Sequence, residues 1–261
     1  MRSFILALGL LMTSLSPQRA AAEIQSRPVE YTAGGIQAQA VLYYDDTVQD
    51  KRPGVLVVHE WWGLNDYAKR RAKMLAEAGY VALAVDMYGQ GRTTEHPSEA
   101  GEFAQAVFQN FPAAKERFEA ALAELESDPR VDPERVAAIG YCFGGGIVLN
   151  MARQGVDLDA VVSFHGSLGP VQPAKEGKIR ASILVCHGAA DPMAGWDAVT
   201  AFEKEMSQAG ADYTLMIFGG AKHSFTSPEA DERGMDGLAY DPEADRLSWA
   251  AMLDFLELHL P

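Results

Sequence analysis

The sequence predicts an α/β fold in which a mainly parallel twisted sheet is covered by helices on both faces, with an antiparallel edge at its N-terminal side. Three observations carry this. Short unbroken apolar runs, such as Val55-Leu56-Val57-Val58 and Val81-Ala82-Leu83-Ala84-Val85, read as strands buried on both faces. They alternate with longer stretches suited to helices, two of which stop on Gly79 and Gly210. Residues 28–32 and 36–44 alternate roughly between polar and apolar around Gly34-Gly35, as in an antiparallel hairpin.

After this hairpin, residues 54–59 form a buried strand that runs into Glu60-Trp61-Trp62-Gly63-Leu64-Asn65-Asp66. Asn65 or Asp66 caps a helix reaching about Ala78. Residues 80–85 are the next strand, and residues 97–127 read as one or two helices interrupted near Pro112. A strand over 134–139 leads through a glycine-rich turn to a buried helix containing Ile147 to Ala152. Strands over 160–164 and 183–186, a helix over 196–209 and a strand over 213–217 follow. A polar loop over 219–242 precedes a last helix over 243–259. No linker divides residues 23–261, so they are expected to form a single domain built on one large core.

Residues 4–12 form an apolar run behind Arg2, followed by polar residues and Ala20-Ala21-Ala22, the pattern of a secretory signal peptide over 1–22 with cleavage near Ala22. The expected product starts at Glu23 and is exported, periplasmic or secreted. The other reading, a retained anchor, suits this run poorly because it is short for a bilayer. The formal net charge of -14 becomes more negative once Arg2 and Arg19 leave. Such an acidic surface argues against nucleic acid or anionic membranes as partners, and a small molecule remains the expected ligand. Oligomeric state has no signature in the sequence. The two cysteines, Cys142 and Cys186, fall after and within different predicted strands with a third strand between them, too far apart to bridge.

In a sheet of this kind functional groups gather beyond the carboxyl ends of the strands. Glu60, Cys142, Asp191 and His223 each lie within a few residues of such an end. Cys142 stands in Gly140-Tyr141-Cys142-Phe143-Gly144, where glycines two residues to either side suit a side chain held at the tip of a tight strand-to-helix turn. A packing turn would also accept such glycines. The order nucleophile, acid, base over Cys142, Asp191 and His223 matches that of α/β-hydrolases and favours the catalytic reading. His59 reads as a packed strand-end residue, His187 as a turn residue and His165 as the cap of a strand end. The histidines lack metal-site spacing, the acidic stretch 229–236 lacks the ladder of a calcium loop, and no Lys-Ser/Thr follows Gly144-Gly145-Gly146; neither a metal nor another cofactor is expected.

These residues resemble the dienelactone hydrolase family of α/β-hydrolases. The resemblance spans nearly everything after the leader and rests on residues 140–145 with cysteine in place of serine, on His59-Glu60-Trp61-Trp62-Gly63-Leu64-Asn65, and on Gly220-Ala221-Lys222-His223-Ser224-Phe225. It implies a hydrolase of carboxylic esters or lactones with a Cys142, His223, Asp191 triad and a thioester acyl-enzyme, in which His223 takes the thiol proton and later activates water. It also implies that Glu60 keeps the resting thiol neutral until substrate displaces it. Backbone N–H groups of Trp61 and Phe143 would form the oxyanion hole.

The family member acting on dienelactone holds its substrate carboxylate with two arginines. Here Arg92 lies near the first position, displaced by Gly89-Gln90-Gly91, and Ser227 occupies the second. Trp61, Trp62, Met87, Tyr88, Phe143 and Phe225 are candidates for an aromatic-rich pocket, or equally for the core. Two other functions compete: a catalytically silent α/β-hydrolase used as a binding module, and a thiol redox protein working through Cys142, although no C-x-x-C pair or evident resolving cysteine supports the latter.

Overall fold

The computed structural model describes residues 23–261. The leader reading over 1–22 therefore lies outside the described residues. The first two strands, β1 (Ile24–Ala33) and β2 (Ile36–Asp45), pair antiparallel in continuous register. Gly34 and Gly35 both have positive φ, as a two-residue hairpin turn requires.

The remaining elements are β3 (Arg52–Val58), α1 (Asp66–Glu77), β4 (Val81–Val85), α2 (Pro97–Gln109), α3 (Phe111–Glu126), β5 (Val131–Tyr141), α4 (Phe143–Arg153), β6 (Ala160–Phe164), β7 (Ser182–Gly188), α5 (Trp196–Ala209), β8 (Tyr213–Phe218) and α6 (Pro242–His259). Asn65 caps α1 by accepting the Ala68 N–H. Gly210 closes α5 in the left-handed conformation. The α2–α3 break falls at Asn110, and Pro112 sits in the first turn of α3, where its missing N–H is tolerated.

Strand β5 is longer than its apolar run. Val131 and Asp132 pair with Arg52 and Pro53 across a bulge, a segment too polar to reveal itself by pattern. His187 is a buried member of β7 paired with Ile217, not a turn residue. The loop between β8 and α6 contains a short 3-10 turn over Pro228–Arg233.

The eight strands form one sheet in the order β1-β2-β4-β3-β5-β6-β7-β8, parallel from β4 through β8. Successive strand residues alternate between two apolar clusters, one on each face. Leu56, Val58, Leu83 and Val85 pack with Phe118, Ile147 and Phe202 of α3, α4 and α5. Val55, Val57, Ala82 and Ala84 pack with Tyr67, Leu75, Met252 and Leu256 of α1 and α6. Burial on both faces is why these strands appear in the sequence as unbroken apolar runs.

Helix α4 lies so close to β3 that a Cβ on Gly144 would stand 2.2 Å from the Val58 carbonyl oxygen. Gly144→Ala is therefore expected to destabilise the fold by about 2 kcal/mol or more through overpacking. Gly101→Ala, in α2 with no atom within 4 Å of an added Cβ, should stabilise it by ~0.5–1 kcal/mol. Thermal unfolding of both variants checks the contrast.

Candidate active site

Strands β3, β5, β6, β7 and β8 are consecutive neighbours running in one direction, so their carboxyl ends share one rim. At this rim Cys142 joins β5 to α4 with φ 52 and ψ -112, a left-handed backbone on a residue with a side chain. Such a conformation costs roughly 1–3 kcal/mol and persists only where its surroundings enforce it. Here the Cys142 N–H donates to the Phe164 carbonyl of β6 at 3.0 Å, and its own carbonyl accepts the Gly146 N–H at 3.1 Å. The Gly144 N–H donates to the His59 carbonyl at 3.1 Å, joining the first turn of α4 to the end of β3. The N–H groups of Phe143 and Trp61 donate to no backbone carbonyl among the described residues.

His223 follows β8 and Asp191 follows β7. The Nδ1 of His223 donates to Asp191 Oδ2 at 2.8 Å, while Asp191 Oδ1 accepts the Met193 N–H at 2.8 Å. Because the carboxylate only accepts, it fixes the proton on Nδ1 and leaves Nε2, without a protein hydrogen-bond partner, for the cavity shared with Cys142. Burial opposes protonation of His223, but a negative charge on the Cys142 sulfur, when the thiol ionises, and the bond to Asp191 outweigh it and raise its pKa to about 10. Burial would also raise Asp191, yet the hydrogen bond and charge of His223 hold it below the usual carboxylate range.

Glu60 is buried, and its carboxyl accepts the Ser224 Oγ–H at 2.8 Å. Burial raises its pKa, and the Ser224 bond only partly offsets this. His59 bridges two loops: Nδ1 donates to the Glu60 carbonyl, and Nε2 accepts the Met87 N–H. That pairing makes it neutral, and burial lowers its pKa. Asp86 accepts four backbone N–H groups, from Gln39, Tyr88, Gly89 and Gly91, and so shapes the turn that carries Tyr88. The Tyr88 hydroxyl then donates to the Trp61 carbonyl at 3.1 Å, orienting the Trp61 loop.

A second polar layer backs the histidine loop. Arg71 of α1 bonds the Asp245 carboxylate, the Thr226 carbonyl and the Tyr67 hydroxyl. Thr226 Oγ1 in turn meets Tyr67 and His165 Nε2 at 2.6 and 2.7 Å. His165, with φ 39, packs edge-on against the His223 ring at 5.3 Å between centroids. Burial first, and then the charge of His223, lowers its pKa strongly. This neutral ring does not compete with His223 for a proton.

A cavity of about 180 Å³ opens on Cys142, His223, Trp61 and Phe143. Ala104 and Phe108 of α2 form one wall; Gly166, Ser167, Met193 and Ala194 line the remainder. The four residues expected to touch substrate besides the triad, its glutamate and the two N–H donors do not line this cavity. Phe225 is fully buried in the α1–α6 core, against Phe218 and His165. Trp62 is buried beneath the Arg233 guanidinium. Tyr88 packs behind Phe143. Arg92 is exposed, its guanidinium on the Tyr88 carbonyl and over the Phe103 ring.

Sequence reasoning missed the cavity residues Ala104, Phe108, Ser167, Met193 and Ala194. The strand-end rule, applied past β6 and β7, points to the last three. Phe108 had no local signal, because only the docking of α2 decides which face meets the cavity. Among the described residues no cluster of three His, Cys, Asp or Glu could hold a metal ion, and no helix is long and apolar enough to cross a membrane.

Residues 38–260 match the family model described as the Dienelactone hydrolase family. The chain is 30% identical to the "Probable 2-oxo-3-(5-oxofuran-2-ylidene)propanoate lactonase" of Bradyrhizobium sp., over 82% of this chain and 86% of that protein. Among solved structures, m3DLH superimposes with a TM-score of 0.88 at 40% identity, over 91% of this chain and 99% of that one. A dienelactone hydrolase-like promiscuous phosphotriesterase from metagenomic libraries gives 0.85 at 38% identity, with the same coverage.

Among the described residues Asp191 is the sole anchor on His223 Nδ1. Asp191→Asn is expected to lower ester turnover by about 10⁴-fold by permitting the wrong tautomer. Since its pKa is depressed in the fold, the stability it supplies is present above about pH 4 and is lost as pH falls through the lowered value. Melting temperatures between about pH 5 and pH 2 should therefore fall more steeply in the wild type than in Asp191→Asn.

Proposed function

Because the chain belongs to the dienelactone hydrolase family, we propose that it hydrolyses carboxylic esters or lactones through a triad of Cys142, His223 and Asp191. One observation carries this reading: His223, tied to Asp191 at Nδ1 and with Nε2 unbonded, lines the same cavity as Cys142.

His223 takes the Cys142 proton, the direction in which its raised pKa points, and the sulfur attacks as a thiolate. The sulfur adds to the carbonyl carbon, and the oxyanion takes hydrogen bonds from the Phe143 and Trp61 N–H groups. As the C–O bond breaks, His223 gives its proton to the leaving oxygen and a thioester remains. Water then attacks the thioester carbonyl, losing a proton to His223, and the thiolate departs with the acid product. Asp191 holds the ring in orientation through both halves. Glu60, buried and bonded to Ser224 next to His223, sets the resting state of the thiol.

Hydrolysis of p-nitrophenyl acetate should fall by about 10³-fold or more in Cys142→Ala and in His223→Ala. Turnover that survives either change would overturn the triad. Glu60→Gln should shift the rate at which iodoacetamide alkylates Cys142; an unchanged rate together with unchanged turnover would remove its assigned role. Export is proposed on the run 4–12 and Ala20-Ala21-Ala22. The mass of protein recovered from an expressing bacterium's periplasm or medium should correspond to a chain starting at Glu23, and an intact N-terminus there would refute cleavage.

A further inference from the structure

Resting on the ester or lactone hydrolase reading, we infer that the acyl part of the substrate is uncharged, apolar and small. Among the ten residues lining the cavity there is no lysine or arginine, and its walls are carbon-rich: Trp61, Phe108, Phe143, Ala104, Met193 and Ala194. At about 180 Å³ the space is below the range of drug-sized sites. It therefore suits an acyl group of a few carbons.

Five cations carried by the surrounding elements are engaged elsewhere, among them Lys222, next to His223 in sequence, which donates to the Asp236 carbonyl at 2.8 Å. Arg92 donates to the Tyr88 carbonyl at 2.6 Å, and Arg117 donates to the Gly34 and Met87 carbonyls. Arg233 lies over the Trp62 ring at 4.3 Å, and Arg153 pairs with Glu205. The acidic groups at the site are the carboxyls of Asp191, within the triad, and of Glu60 beside it, both buried. An anionic acyl group would leave water for apolar walls, near two acids, with only the imidazolium of His223 to meet it, and that charge is already balanced by Asp191 and the sulfur. An uncharged chain suffers none of this and gains by leaving water.

The test compares mono-p-nitrophenyl glutarate, an anion, with its neutral methyl ester, each corrected with Cys142→Ala protein. The neutral ester should show a kcat/KM about 30-fold higher or more, as expected for a charge buried without a partner; a smaller ratio overturns the inference. Met193→Arg, at a rim position 51% exposed, should cut that ratio by about tenfold by supplying the missing cation. No narrowing would count against a charge-based cause. A selective loss of glutarate turnover in Arg92→Ala would show that Arg92 does serve the acyl group, and would likewise overturn it.

A readout independent of turnover separates this inference from the triad reading. Methyl 5-oxohexanoate should protect Cys142 from iodoacetamide, while the 5-oxohexanoate anion at equal concentration should not. Equal protection by both sinks the inference even if the enzyme hydrolyses nothing.

Discussion

The contact between α4 and the end of β3 is the constraint from which the candidate site follows. The Gly144 N–H reaches the His59 carbonyl, and Val58 leaves no room for a Cβ at residue 144. With the helix start seated there and the Cys142 N–H held by β6, the backbone of Cys142 must turn left-handed. The thiol is thereby raised above the rim at the positive end of a helix, where a thiolate or an oxyanion is favoured. The strain is local, and the surrounding sheet and helix supply the interactions that maintain it.

The same burial acts differently on neighbouring imidazoles. It lowers the pKa of His59, His165 and His187, and each has a mainly structural partner: a backbone carbonyl and N–H, a threonine hydroxyl, and the Ala194 carbonyl. In His223 alone of these four is the pKa raised, because a sulfur and a directly bonded carboxylate face one ring. Four buried histidines thus divide into three that stay neutral and one suited to carry a proton, and the division follows from partners, not from depth. The Arg71–Tyr67–Thr226–His165 chain secures the loop bearing His223 from behind, while the cavity side remains apolar.

Much of this arrangement was legible beforehand because it depends on periodicity and order. The both-face burial of β3 and β4 leaves unbroken apolar runs; the hairpin needs Gly34-Gly35; Asn65 and Gly210 mark helix ends. The wrong or incomplete readings share a cause. Val131, Asp132 and His187 lie in strands because of what they pair with, and no local pattern records a partner. Phe225 and Trp62 are aromatic residues next to motif residues, yet one enters the core and the other lies beneath an arginine, since adjacent side chains on an extended loop point in different directions.

By itself the sequence determined the parallel sheet, the positions of Cys142, Asp191 and His223 beyond successive strand ends, and the acid balance of the chain, since each depends on residue identity and order along the polymer. Only the tertiary structure decided that Glu60 meets Ser224, that His165 stands against the His223 ring, and that Phe108 and Met193, without any cation, wall the cavity. Those outcomes depend on the distance between side chains far apart in the chain, and that distance is set by how α2 and the rim loops pack on the sheet.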